Sequence, residues 1–173
     1  NAARGIVNEQ LADLNLVALY TCPWPGQGFY FNKEVGSSAD TQGIKFRSYN
    51  SATATFAEEL GMIPVQVEAA ELSQALATGV ASAFISSGST GYDRKVWEHL
   101  SHYYKVNAWL PRNYVIVNSQ SWDALDDATK AGVQKAADET GAACADKSEE
   151  LADFYFAELE LSLIHIGRCR RRG

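Results

Sequence analysis

An arginine near the end of an apolar strand has the clearest potential for chemistry in this sequence. Arg47 falls in the alternating segment 43–49, which is typical of a strand. Segment 51–60 has a helical pattern that Asn50 or Ser51 can cap. Because ligands of open α/β sheets bind beyond the carboxyl ends of strands, and a guanidinium fork and a helix start both favour carboxylates, the pattern indicates a carboxylate site. The alternative is an ordinary surface arginine on an edge strand.

Two loops supply further candidates for a ligand site. Segment 84–91, FISSGSTG, follows an apolar strand and offers hydroxyl groups and small residues. It has neither the GxxxxGK[ST] spacing that cradles phosphates nor the GxSxG turn of a hydrolase, so a plain loop is the alternative. Trp24 lies between two prolines in the other loop, where a core position is hard to build, and it is a candidate wall for a ligand cleft.

Residues for catalysis or metal binding do not form a recognisable set. The sequence has no Ser–His–Asp order and no Cys–His pair, and its three histidines and three cysteines lack metal-site spacing. Glu58 and Glu59, like the other adjacent acidic pairs, fit a solvated face better than acid–base catalysis. Cys22 and Cys144 are expected as two free thiols, with one disulfide as the alternative. We therefore predict that the protein is not an enzyme and uses no cofactor or metal.

The composition fits a globular protein with an acidic body. The 173 residues carry a formal net charge of −6. The tail contains Arg168, Arg170, Arg171 and Arg172; without these four, basic residues fall from 15 to 11 against 21 acidic ones, and the charge becomes −10. An acidic body argues against binding a phosphate backbone, and no run of about 18 apolar residues is present to span a membrane. The tail is expected to be a cloning or sequencing scar, with a basic nucleic-acid-binding or lipid-binding tail as the alternative.

Strand and helix patterns alternate along the middle of the chain. Strand patterns occupy 43–49, 63–67, 80–85 and 113–118, and helical patterns occupy 51–60, 68–78 and 92–100. This alternation is typical of an α/β layer with a largely parallel sheet. Residues 119–160 have the pattern of one short helix followed by one long amphipathic helix.

A long central segment is similar to a known family of bacterial receptors. Segment 43–100 carries G-x-K-x-R, LG-x-x-PV and E-x-x-x-AL-x-x-GV in linked order, and segment 109–125 adds an apolar strand, an Asn and a Trp-containing helix. The matching positions are Gly43, Lys45, Arg47, Leu60, Gly61, Pro64, Val65, Glu71, Ala75, Leu76, Gly79 and Val80. Over residues 6–160 the chain resembles the DctP-like solute receptors of TRAP transporters.

The resemblance implies a periplasmic-binding-protein-like α/β fold with two lobes around a hinge. This chain is then expected to hold mainly the second lobe, with a largely parallel sheet and a long C-terminal helix. We expect residues 1–42 to be a crossing segment and hinge region of a truncated receptor, and residues 43–118 to be the α/β ligand-binding lobe. Residues 119–160 are expected to be the C-terminal helices, and residues 161–173 a non-native tail.

The resemblance also implies a ligand site and a function. Arg47 matches the arginine that pairs with the substrate carboxylate in this family, and Asn50 is expected to assist it. The further expected ligand contacts are Trp24, Phe84, Ser86, Ser87 and Trp109. The implied function is that of a periplasmic receptor that binds a small organic carboxylate and delivers it to a TRAP permease.

Other functions remain open at this stage. One is a ligand-binding sensor domain that feeds a signalling partner, and another is an enzyme on a related two-lobed fold. Neither nucleic-acid binding nor direct membrane insertion is expected. A periplasmic location implies a signal peptide, which is expected in a missing N-terminal part.

Overall fold

The computed structural model describes residues 4–162 and 165–168, and the chain divides into two compact units. The first unit takes its described residues from 4–24 and 111–150, and the second takes them from 25–110 and from 151 onwards. Each unit is therefore built from two separate stretches of sequence. Of the predicted non-native tail 161–173, residues 163–164 and 169–173 lie outside the described residues.

Helices and strands alternate through both units. In chain order, the described helices are α1 (Arg4–Asp13), α2 (Ser51–Glu59), α3 (Leu72–Ala77), α4 (Gly88–Asp93), α5 (Ser119–Asp123) and α6 (Asp127–Leu161). The described strands are β1 (Leu16–Pro23), β2 (Gln27–Phe31), β3 (Lys45–Ser48), β4 (Ile63–Gln66), β5 (Ala83–Ser86), β6 (His102–Trp109), β7 (Arg112–Asn118) and β8 (His165–Arg168). None of the helices in this part of the chain combines the length and the apolar character that crossing a bilayer requires.

The first unit pairs β1 with β7 and packs β1 along α6. The two strands are antiparallel, and Leu16 lies opposite Asn118. Gly141 of α6 faces Tyr20 so closely that a Cβ at this glycine would lie 3.1 Å from the Tyr20 Cβ. One turn further along α6, Cys144 forms a disulfide with Cys22 of β1, with a Cα–Cα distance of 5.6 Å. The expectation of two free thiols is therefore wrong, because the close approach of strand and helix brings together cysteines that are 122 residues apart.

The second unit contains a mixed six-stranded sheet with the order β4-β3-β5-β2-β6-β8. Strand β3 is parallel to β4 and to β5, and β6 is parallel to β8. Only β2, among the described strands of this sheet, runs antiparallel to its neighbours β5 and β6. The predicted α/β class, largely parallel sheet and long C-terminal helix are confirmed.

Two hydrophobic clusters cover the two faces of this sheet, because successive side chains of a strand point to opposite faces. Phe46, Ala83 and Ile85 belong to one cluster, which also holds Ala57 of α2. Phe84 belongs to the other cluster, whose members include Tyr30, Tyr103, Leu72 and Leu76 of α3, and Leu159 of α6. Arg47 follows Phe46 and pairs in register with Phe84, so its side chain leaves the sheet on the second face.

The region after β5 differs from its sequence prediction. The pattern 92–100 predicted one helix after a glycine-rich loop, but α4 begins within that loop at Gly88 and ends at Asp93. Lys95 adopts a left-handed conformation with φ of 49°, which stops a regular helix before Trp97. Strand β6 has no counterpart among the predicted elements.

The disulfide predicts a measurable contribution to stability. Replacing Cys22 and Cys144 by serine should lower the free energy of unfolding by about 2–5 kcal/mol, because the cross-link restricts the unfolded chain over a long loop. Denaturant unfolding of the oxidised protein and of the double variant measures this difference. Cys169→Ser, which leaves the pair intact, is the control. Alkylation of Cys22 in the unreduced protein, detected by mass spectrometry, would contradict the disulfide.

Candidate functional site

The sheet topology of the second unit gathers polar residues at one edge. Strands β3, β4 and β5 run parallel and end at this edge, whereas the antiparallel β2 begins there and β6 ends there. Arg47 thus shares the edge with Gln27 at the start of β2, with Ser86 at the end of β5 and with Trp109 at the end of β6. This is the edge of an open α/β sheet at which ligands bind.

Arg47 is held at this edge as a buried cation. Its residue surface is only 4% exposed. The Nε–H donates a hydrogen bond of 2.8 Å to the carbonyl oxygen of Val67, which follows β4, and Cζ lies 5.0 Å from the ring centroid of Tyr49. Burial lowers the pKa of Arg47, and the nearby Tyr49 and Glu68 offset part of this shift. The guanidinium is therefore oriented by a carbonyl group and an aromatic ring, which are both uncharged.

No carboxylate neutralises Arg47 within residues 4–162 and 165–168. The ion pairs found there are Lys135–Glu139 and Lys147–Glu150, both on α6, while Glu68 is exposed. Tyr103 Oη is the one fully enclosed side-chain polar atom without a partner in this part of the chain. The Nη atoms of Arg47 have no partner there either, so they are not fully enclosed. A guanidinium with little solvent contact and no counter-ion is unfavourable, and an incoming carboxylate offsets that cost by a bidentate pair.

Gln27 and Tyr49 extend the polar edge beyond Arg47. Gln27 is 5% exposed, and its Oε1 accepts a hydrogen bond of 3.0 Å from Tyr49 Oη. Burial raises the pKa of Tyr49, and the hydrogen bond with Gln27 and the charge of Arg47 lower it in part. Sequence reasoning did not assign either residue to the site. The position of Tyr49, two residues after Arg47, was a usable signal, whereas Gln27 joins the edge only through the antiparallel pairing of β2.

The predicted site residues Asn50, Ser86 and Ser87 lie at the same edge. Asn50 is exposed, and its Oδ1 accepts the Thr53 N–H at 2.8 Å, which caps α2. Ser86 and Ser87 are buried. The carbonyl of Ser87 accepts a hydrogen bond of 2.9 Å from Tyr30 Oη. Their contact with a ligand stays a prediction, and the capping role of Asn50 is an observed structural role.

The remaining predicted site residues occupy three different environments. Phe84 is fully buried and stacks on Tyr30 with ring centroids 4.4 Å apart, so its side chain offers no surface to a ligand. We therefore place Phe84 in the core and leave it out of the site. Trp109 is half-buried and pairs with Gln27. Trp24 belongs to the first unit and is 39% exposed, and its role as a cleft wall stays a prediction.

The first unit carries a separate crevice with a volume of about 420 Å³. Arg4, Arg112, Tyr114 and Asp138 contribute to its walls. Both arginines are exposed, and Arg112 Nη1 donates a hydrogen bond of 2.8 Å to Thr21 Oγ1. Solvent stabilises exposed guanidinium groups, so Arg4 and Arg112 need a counter-ion less than the buried Arg47 does.

The described residues contain no candidate metal-binding site. Within them, no three His, Cys, Asp or Glu side chains are grouped so that they could hold a metal ion. Among the hydroxyl groups near the edge, Ser87 Oγ and Ser89 Oγ lie 2.8 Å apart and form a hydrogen bond with each other. The arrangement at Arg47 therefore supports binding of an anion and suggests no covalent step.

Solved structures of solute receptors match this fold closely. A marine metagenome TRAP solute-binding protein, described as specific for pyroglutamate and containing co-purified pyroglutamate, is 76% identical with a TM-score of 0.94. It is matched over 98% of this chain and 56% of its own chain. No curated protein matches the sequence significantly.

Two receptors of Bordetella pertussis are also similar, and both are described as extracytoplasmic solute receptors that bind pyroglutamic acid. One is 37% identical with a TM-score of 0.95 over 98% of this chain, and the other is 28% identical with a TM-score of 0.93 over 96%. This chain spans 56% of the length of each. The model of the family described as bacterial extracellular solute-binding protein, family 7, matches residues 8–166. The chain therefore belongs to this family, which is also named DctP.

Proposed function

We propose that this chain supplies the carboxylate-binding edge of an extracytoplasmic receptor for pyroglutamate or a closely related small acid. The observation that carries the proposal is the buried guanidinium of Arg47, which has no carboxylate partner within the described ranges. The descriptions of the relatives at 76%, 37% and 28% identity favour pyroglutamate as the acid. In the proposed complex, both Nη atoms of Arg47 bind the ligand carboxylate, while Nε stays on Val67.

The proposed receptor works outside the cytoplasm and delivers its ligand to a TRAP permease. The Cys22–Cys144 disulfide supports this location, because disulfides persist in oxidising compartments such as the periplasm. The assignment as a TRAP receptor follows the descriptions of the similar structures. The proposal includes no catalytic step, so NMR of the ligand released after incubation should show unchanged pyroglutamate.

Arg47→Ala should weaken pyroglutamate binding by about 10²–10³-fold, because a buried carboxylate would lose its bidentate guanidinium partner. The measurement is titration calorimetry on a hybrid receptor, in which this chain replaces the matching 56% of the 76%-identical relative. Lys45→Ala is the matched control, since Lys45 is an exposed cation on the same strand, and its Kd should change by about twofold at most. Unchanged affinity of a cooperatively folded Arg47→Ala variant would reject the assignment.

A comparison of two ligands tests the same contact by changing the ligand instead of Arg47. Pyroglutamate and its primary carboxamide share the ring and differ in the group that would meet Arg47. The carboxamide should bind at least about 100-fold more weakly, since it cannot form a charge-assisted bidentate pair. Competition calorimetry on the hybrid receptor measures the ratio. Equal affinities would show that the site recognises the ring without the carboxylate.

A further inference from the structure

We propose that Gln27 selects the second polar group of the ligand, a neutral carbonyl oxygen, and that Tyr49 positions Gln27 for this contact. The inference rests on the proposed function, because it takes the carboxylate to be held by Arg47. It adds a specificity-determining residue to the site and narrows the ligand class to small acids that also carry a carbonyl acceptor.

Gln27 is a buried polar side chain whose amide oxygen is hydrogen-bonded and whose amide nitrogen has no partner among the described residues. The residue begins β2 and is 5% exposed. A primary amide has an oxygen acceptor and two N–H donors. Oε1 accepts a hydrogen bond from Tyr49 Oη, but within the described residues Nε2 donates to no acceptor. The two N–H donors are therefore available to an acceptor that arrives with the ligand.

The free donors are accessible. Tyr103 Oη is the single side-chain polar atom in the described part of the chain that is both fully enclosed and unpartnered. Nε2 of Gln27 is also unpartnered, so it is not fully enclosed. The amide is thus oriented by Tyr49, and Nε2 keeps contact with solvent at the edge of the sheet.

Tyr49 determines which end of the Gln27 amide faces the ligand. The Tyr49 hydroxyl is protonated at neutral pH, and in this structure its Oη donates to the amide oxygen of Gln27. This pairing occupies Oε1 of Gln27 and leaves Nε2 for an external acceptor. The ring of the same tyrosine lies 5.0 Å from Arg47 Cζ, so one side chain orients both candidate ligand-binding groups.

The arrangement matches a small molecule with an anion at one end and a neutral acceptor at the other. Arg47 supplies the charge for a carboxylate, and Gln27 supplies N–H donors for a carbonyl oxygen. A lactam acid has both groups on one rigid ring, so little conformational freedom is lost on binding. Acids without the carbonyl would leave the Gln27 donors without a ligand partner, and unpaired polar groups of a site allow it to reject such an analogue.

Three five-membered-ring acids distinguish the carboxylate contact of Arg47 from the carbonyl contact of Gln27. Pyroglutamate has both the carbonyl and the ring N–H. 3-Oxocyclopentanecarboxylate keeps the carbonyl and lacks the ring N–H, and cyclopentanecarboxylate lacks both. Calorimetry on the hybrid receptor measures their affinities. Gln27→Met, of similar volume but without donors, should weaken the first two acids about 10-fold to 100-fold and leave the third within about twofold. Tyr49→Phe, which keeps the ring beside Arg47, should cause the same selective loss, about 3-fold to 10-fold.

Tyr104→Phe is the matched control, because Tyr104 Oη accepts a backbone hydrogen bond from Val35 away from the edge. It should leave all three affinities unchanged. Equal weakening of all three acids by Gln27→Met, or no weakening of pyroglutamate, would overturn the role of Gln27. Arg47→Ala should weaken all three acids together. If it does not, or if the unsubstituted hybrid receptor binds none of the acids, the proposed function fails and the inference fails with it.

Discussion

A largely buried guanidinium that forms no ion pair with any carboxylate among the described residues is the constraint on which the site depends. The surrounding protein orients Arg47 through the Val67 carbonyl and the Tyr49 ring, but neither group carries the negative charge that would satisfy it. The folded chain therefore tolerates an unfavourable electrostatic state in the absence of ligand. Such a state persists only where the sheet and its two hydrophobic clusters supply enough stability to hold it.

The mixed sheet explains how distant segments meet around that charge. Parallel strands bring Arg47 and Ser86 to the edge by the ordinary rule for α/β folds. The antiparallel β2 adds the beginning of a strand to the ends of its neighbours, and it introduces Gln27 from a different part of the sequence. A fully parallel sheet would place the end of β2 there instead, and Phe31 would replace an amide with an aromatic ring.

Local signals in the sequence predicted the α/β class, the long final helix and Arg47, because a strand, its end and the following cap are all visible within about a dozen residues. Features that depend on contacts between distant segments were not predicted from the sequence. Gln27 reaches the site through strand pairing, and Cys22 reaches Cys144 through helix packing. Phe84 was one of the ligand contacts expected from the resemblance, but the alternation of side chains along β5 directs it into the core.

The interleaved construction of the two units has a consequence for how the chain acquires its structure. Strand β1 is synthesised before the continuous stretch 25–110 of the other unit, and its partner β7 follows only after that stretch. Closing so long a loop is entropically slow compared with forming the local contacts of that stretch. We expect the contacts within stretch 25–110 to form before β1 pairs with β7.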